Sequence, residues 1–119
     1  MINTRGKGTK YEEIAITFLK DHYAKILDTN YRCKFGEIDI VVKDKGFIAF
    51  VEVKFRDTDK QGDASEAVDY KKMRTISRVS DYYRMEKRIS EYLPIRFDVI
   101  AINSNGIRWI KNAFEYIPN

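Results

Sequence analysis

The stretch from Gly36 to Arg56, GEIDIVVKDKGFIAFVEVKFR, decides how the rest of the chain is read. From Gly36 the apolar residues follow a two-residue period, so that Glu37, Asp39 and Val41 fall on one face and Ile38, Ile40 and Val42 on the other. A second run, Phe47–Phe55, puts Ile48, Phe50, Glu52 and Lys54 on one face and Phe47, Ala49, Val51, Val53 and Phe55 on the other. Two-sided hydrophobicity of this kind marks a central strand covered on both faces. Lys43-Asp44-Lys45-Gly46 supplies turn residues between the runs, which makes a hairpin the simplest connection. Glu37, Asp39, Glu52 and Lys54 therefore sit inside the two best strands. An unpaired buried carboxylate costs several kcal/mol, comparable with the net stability of a small domain, so these charges must be paired, metal-bound or at a wet sheet edge.

Outward from the hairpin, the N-terminal side reads as helix. Thr9-Lys10-Tyr11-Glu12 fits a capping box, and Tyr11, Ile14, Ala15, Phe18, Leu19 and His22 form one stripe through about Tyr23. Lys25–Asn30 is either a small strand or an irregular segment. Arg56–Gly62 is polar and loop-like. Asp63-Ala-Ser-Glu66 offers an N-cap for a long helix to about Lys87, with Val68, Ile76, Val79 and Tyr83 on its inner stripe and Lys72 in line with them. Arg96–Ile102 reads as a strand, Ile107–Ile110 as another after Asn103-Ser-Asn-Gly106, and Lys111–Tyr116 as a short terminal helix; Asp98 either pairs with Arg96 or another basic group or binds metal. The expected class is α/β, a mixed sheet flanked by helices.

At 119 residues, with 44% hydrophobic and 13% aromatic residues, the chain supports one domain, 1–119, with one core. No run approaches the ~18 apolar residues of a membrane span. The basic N-terminus has no following apolar segment, and the one cysteine, Cys33, has no internal partner, which suits a protein kept in a reducing cytoplasm. A single histidine, His22, excludes a Cys/His zinc cluster; it and Trp109 read as packing residues. The net charge of +4 leans towards a polyanionic partner. Lys71, Lys72, Arg74, Arg78, Arg84, Lys87 and Arg88 either track a phosphate backbone or form a solvated face shared with Asp69, Asp81 and Glu86. Tyr82, Tyr83 and Tyr92 are candidate stacking residues.

Carboxylates around Mg²⁺ supply hard oxygen ligands, and a lysine beside them can orient or deprotonate a water or stabilise charge on phosphate. The series Asp39…Glu52-Val53-Lys54 resembles the PD-(D/E)xK motif of restriction-endonuclease-like nucleases, with Ile38 in the place of the proline. More narrowly, Glu12-x-x-Ala15, Asn30-x-Arg32, Gly36-Glu-Ile-Asp-Ile40, Phe50-Val-Glu-Val-Lys54-x-Arg56, Lys72, Arg96-Phe-Asp-Val99 and Trp109-Ile-Lys-Asn-Ala-Phe114 resemble the YraN-like family of small bacterial proteins. That resemblance covers almost the whole chain, although Tyr11 replaces the glycine that often precedes the family's helical glutamate. It implies the restriction-endonuclease-like fold in the order α-β-β-β-α-β and a relation to archaeal Holliday junction resolvases.

The resemblance also implies roles. Asp39 and Glu52 would hold Mg²⁺, or Mn²⁺ in its place, together with the Val53 carbonyl. Lys54 would be the catalytic lysine, and Glu37 a nearby acidic residue. Glu12 is either an extra carboxylate for the metal or only the partner in its capping box. Lys72 either snorkels over the core or points into the cleft, and Arg56 and Gln61 either contact phosphate or are simply loop residues. The implied activity is metal-dependent cutting of DNA, on branched or damaged structures, and resolvase-type cutting of two strands would require a two-fold dimer. Competing readings are a module that binds nucleic acid without cleaving it, and a structural protein whose four charges form an internal salt-bridge network.

Overall fold

Two nine-residue strands joined at Lys45-Gly46 carry the opening stretch: β2 (Gly36–Asp44) and β3 (Phe47–Phe55). Lys45 and Gly46 have φ of 50° and 88°, the pair of positive values that a two-residue type I′ turn demands. The turn is thus tighter than the four residues expected, because Lys43 and Asp44 still pair with Ile48 and Phe47. Around this hairpin a computed structural model describes residues 6–56 and 68–119. The remaining elements are α1 (Gly6–Asp21), β1 (Lys25–Cys33), α2 (Tyr70–Glu86), β4 (Ile95–Asn103) and β5 (Gly106–Phe114).

The five strands form one mixed sheet in the order β1-β2-β3-β4-β5. All neighbours are antiparallel except β3 and β4, which run parallel because α2 crosses over between them. Each helix covers one face. Ala15 and Leu19 of α1 pack with Ile40, Val42, Ala49, Val51, Ile100 and Ile102. Ile76, Val79 and Tyr83 of α2 pack, with Val68, on Ile38, Val41, Ile48, Phe50, Phe97 and Val99. The two stripes and the two-sided β3 are those that the sequence pattern predicts.

Several boundaries differ from the sequence reading. Lys25–Asn30 is resolved as strand, within β1. Helix α1 starts at Gly6, so Thr9 lies inside it and not at its N-cap. Asp63-Ala-Ser-Glu66 lies outside the described residues; α2 itself begins at Tyr70, capped by Asp69, whose carboxylate accepts from the Lys72 amide. No terminal helix forms at Lys111–Tyr116, because β5 continues to Phe114.

The cause of that continuation is a buried charge cluster. Asp98, fully buried, accepts from the Arg96 guanidinium at 2.8 Å, from Trp109 Nε1 at 2.9 Å and from the Asn112 amide at 2.9 Å. Asn112 adopts φ 56°, and the β4–β5 register shifts between Phe97 and Val99. The carboxylate thereby takes up an amide that the irregular ladder leaves over. Arg96 also reaches Asp44 at 2.9 Å, as does Lys111 Nζ at 3.1 Å, so one network ties the ends of β2, β4 and β5. These opposite charges hold the Asp44 carboxyl below its usual range despite its burial.

Gly36 shows how closely α2 sits on the start of β2. Its φ is 148°, and a Cβ there would stand 2.8 Å from Thr75 Cγ2. Gly36→Ala is expected to lower stability by about 1–3 kcal/mol in urea denaturation, from backbone strain and overpacking together. Adding Thr75→Ser, which removes the clashing methyl, should recover part of the loss; a double variant no more stable than the single one would place the whole cost in the backbone.

Candidate active site

The β2–β3 ladder stops at the pair Ile40–Val51. One residue further, Asp39 turns its carboxylate into the place of the next rung, where Oδ2 accepts from the Val53 amide at 2.8 Å. The alternation predicted for β2 breaks at this point. Ile38 packs in the α2-side core with Val41, whereas Ile40 and Val42 pack on the α1 side, so Ile38 does not share a face with Ile40 and Val42. Asn30, at the matching place on β1, has φ 52°. Asp39 therefore stands where the hairpin opens, between the two faces, within electrostatic reach of α1 through Glu12 and of α2 through Lys72.

Glu52 shares a face of β3 with Ile48 and Phe50, as predicted; α2 covers that face, and only 5% of Glu52 is exposed. Its Oε2 is 3.2 Å from Lys72 Nζ and 3.7 Å from Lys54 Nζ. Lys72 occupies the third position of α2, where a capping box would place Glu, and its side chain reaches back to the sheet. Of the two options for Lys72, the structure shows the one in which it points to the carboxylates.

Burial pushes the Asp39 carboxyl up to about 7, and the neighbouring charge of Glu52 adds to the rise. The Val53 amide draws it down, Glu12 raises it and Lys72 lowers it. Asp39 thus shares a cleft with Glu52 in which its own charge is disfavoured by burial and by its acidic neighbour.

Among the described residues no three Asp, Glu, His or Cys side chains stand together as a ready metal cage. The donors that do converge are Asp39 and Glu52. In an extended strand the N–H and C=O of one residue point the same way, so the Val53 carbonyl faces the gap that its amide shares with Asp39. Two carboxylate oxygens and a carbonyl, all hard donors, suit Mg²⁺, which keeps several of its waters. By this test the residues fit the ion.

The other predicted site residues are placed as follows. Glu37 is half-exposed and bonded to Arg32 at 2.9 Å across the β1–β2 ladder. Arg56, just past β3, donates its amide to the Ile102 carbonyl at 3.0 Å, and its Nε is buried. Gln61 lies outside the described residues. Tyr83 is buried against Tyr31 and Phe50 and offers no stacking face to solvent. On α2, Arg78 and Arg84 pair with Asp81, and Lys87 pairs with Asp28. Asp44, read as a turn residue, belongs to the buried network; the signal for that network was Arg96-x-Asp98, two opposite charges on one face of a strand.

These features define a mixed α/β protein with two carboxylates and two lysines gathered where a hairpin opens. The chain belongs to the family described as "Uncharacterised protein family UPF0102", the YraN-like family, whose model matches residues 11–102. That span includes Glu12, Asp39, Glu52, Lys54 and Lys72. A UPF0102 protein of Lachnoclostridium phytofermentans is 40% identical over 114 residues, covering 96% of this chain and 97% of the relative. Another from Fusobacterium nucleatum is 41% identical over 111 residues, covering 93% and 92%. One from Legionella pneumophila is 37% identical over 114 residues, covering 94% and 97%.

Proposed function

We propose that this protein is a metal-dependent DNA endonuclease of the PD-(D/E)xK type, on a restriction-endonuclease-like fold, that acts on branched or damaged DNA. The observation that carries the reading is the convergence of Asp39, Glu52, Lys54 and Lys72 at the open end of the β2–β3 hairpin. The parallel β3–β4 pair with its α2 crossover, and the order of elements up to β4, agree with that fold.

When bound, Mg²⁺ would polarise the scissile phosphate and bring an activated water to it. Asp39, Glu52 and the Val53 carbonyl would hold the ion. Asp39 must give up its proton to do so, which its raised pKa makes responsive to pH near neutrality. Lys54, at the mouth of the cleft, orients the attacking water and stabilises charge developing on the phosphate. Lys72 neutralises Glu52 and keeps its carboxylate aimed at the gap. Cutting both strands of a branched substrate would take two such sites, hence a two-fold dimer. A cytoplasmic location follows from the activity proposed; no described helix is long and apolar enough to cross a membrane.

The test is incubation of purified protein with four-way junctions, flaps and plain duplexes in Mg²⁺ or Mn²⁺. Cleavage of at least one is expected, with a rate that Lys54→Ala lowers by on the order of 10²–10⁴-fold. A Lys54→Ala variant that cuts as fast as wild type would remove the lysine from the mechanism.

One observation favours a second reading. Glu52 is already neutralised by two lysines, as in a cleft that docks phosphate without turning over. That module would bind DNA in a salt-dependent manner, keep binding after Asp39→Asn, and cut no structure offered.

A further inference from the structure

At the turn end of the hairpin, away from Asp39, lies a cavity of about 530 Å³, large enough for one nucleotide. The last turn of α1 contributes Phe18, His22 and Tyr23, the hairpin turn Lys45, and β5 Trp109 and Lys111. We propose that this cavity is a nucleotide subsite: it seats one unpaired base against Trp109 and Tyr23 and takes the phosphate on Lys45 and Lys111.

Tyr23 ends α1 in the left-handed region, at φ 71°, with the Ala24 amide closing the helix on the Leu19 carbonyl. Glycine is the residue that this position favours. A tyrosine there carries strain, and 93% of its surface is exposed, so packing does not account for it. An exposed ring held at a cavity mouth by its backbone alone is suited to stacking. His22 is equally ordered: its ring stacks on Phe18 with centroids 4.1 Å apart, and Nδ1 donates to the Phe18 carbonyl at 2.8 Å. That bond leaves Nε2 to meet a polar edge of a base.

The charge of the rim selects an anion. Among the described residues that line it, Asp44 is the one carboxylate; together with Asp98 it is offset by Arg96 and Lys111, and Lys45 adds a further positive charge. Lys111 Nζ, 3.1 Å from Asp44, also lies 4.3 Å from the centre of the Trp109 ring, so a cation sits over the aromatic floor. With Lys45 beside it, the rim holds surplus positive charge next to flat apolar surface, the combination that a base with its phosphate matches. Along α1, Glu12 and His22 are about 15 Å apart, roughly four to five base steps of duplex. A strand peeling from the proposed cleft reaches the cavity over that distance. The subsite does not depend on cleavage at Asp39.

Trp109 is the only tryptophan of the chain, so its fluorescence reports on the cavity. The experiment is titration of the full chain, in chelator and low salt, with an eight-nucleotide single strand carrying one 2-aminopurine, with AMP, and with a blunt duplex of equal length. Quenching of Trp109 by the single strand alone supports the subsite and assigns it to a strand. Equal quenching by AMP supports it and assigns it to free nucleotide. Tyr23→Ala is expected to weaken the quenching ligand about tenfold. Tyr23→Gly, which suits the backbone at this position, should do the same while folding at least as stably. Lys45→Ala should reduce the salt dependence by about one ion. Unchanged Trp109 emission with both single-stranded and free nucleotide overturns the proposal, as does quenching by the duplex equal to that by the strand, or full affinity in both Tyr23 variants. Cleavage by the same preparation in Mg²⁺ is scored separately, so loss of one result leaves the other standing.

Discussion

At pH 8, Asp39→Asn is expected to melt at a higher temperature than the wild-type protein, and to cut no DNA. Burial and the nearby Glu52 raise the Asp39 carboxyl from 3.8 to about 7. The folded state therefore holds a proton over a range where the unfolded chain has released it. The sign follows: this group costs nothing below about pH 4, and stability falls as pH rises from there through 7. A rise of that size corresponds to about 4 kcal/mol in the ionised state. Asparagine removes the charge and keeps an oxygen for the Val53 amide, so the variant should gain on the order of 10 °C at pH 8 and almost nothing at pH 4. Under the proposed function, Mn²⁺ raises the melting temperature of wild type and leaves Asp39→Asn unmoved. Identical melting curves for both proteins at both pH values would show that the carboxyl is not strained by its surroundings.

Asp98→Ala carries the second large effect, with the opposite sign. The carboxylate is fully buried and serves Arg96, Trp109 Nε1 and the Asn112 amide. Alanine leaves a buried guanidinium with Asp44 as its remaining acid partner and strands two further donors, a loss of about 3–5 kcal/mol. Thermal unfolding should fall accordingly, and amide exchange should quicken first in β5, whose bulge the carboxylate holds. Asp98→Asn keeps the acceptor and should lie between. A melting temperature within about 2 °C of wild type for Asp98→Ala would mean that the cluster is electrostatically neutral in its contribution.

Much of this architecture is legible in the order of residues. Period-two alternation in Phe47–Phe55 places Glu52 and Lys54 on one face and a full apolar set on the other, and β3 has both. The inner stripe of α2 was equally plain. What could not be read is set by contacts between distant segments. Alternation in β2 assumes an unbroken ladder, and the ladder ends at Asp39, where the Val53 amide, fourteen residues on, takes the carboxylate in place of a rung. The end of β5 reads as helix in the sequence because the partners that keep it extended, Asp98 and Asp44, belong to other strands. The cap of α2 at Asp69 carries little sequence signal: Asp69-x-x-Lys72 lacks the glutamate that marks a capping box, and its lysine serves Glu52 instead. At the site itself, the motif identified Asp39, Glu52 and Lys54 as a group, whereas the link between Glu37 and Arg32 depends on strand register.

The bond between Asp39 and the Val53 amide has a wider meaning for how the chain folds. A hairpin begun at Lys45-Gly46 closes rung by rung as far as Ile40 and Val51, and there the pairing ends. The Asp39 carboxylate acts as a stop in that zipper, and the cleft is the part of the hairpin left unzipped. Replacing Asp39 by an apolar residue of similar size would then do more than delete a charge: it would let two strands seal the space in which a phosphate would have to lie.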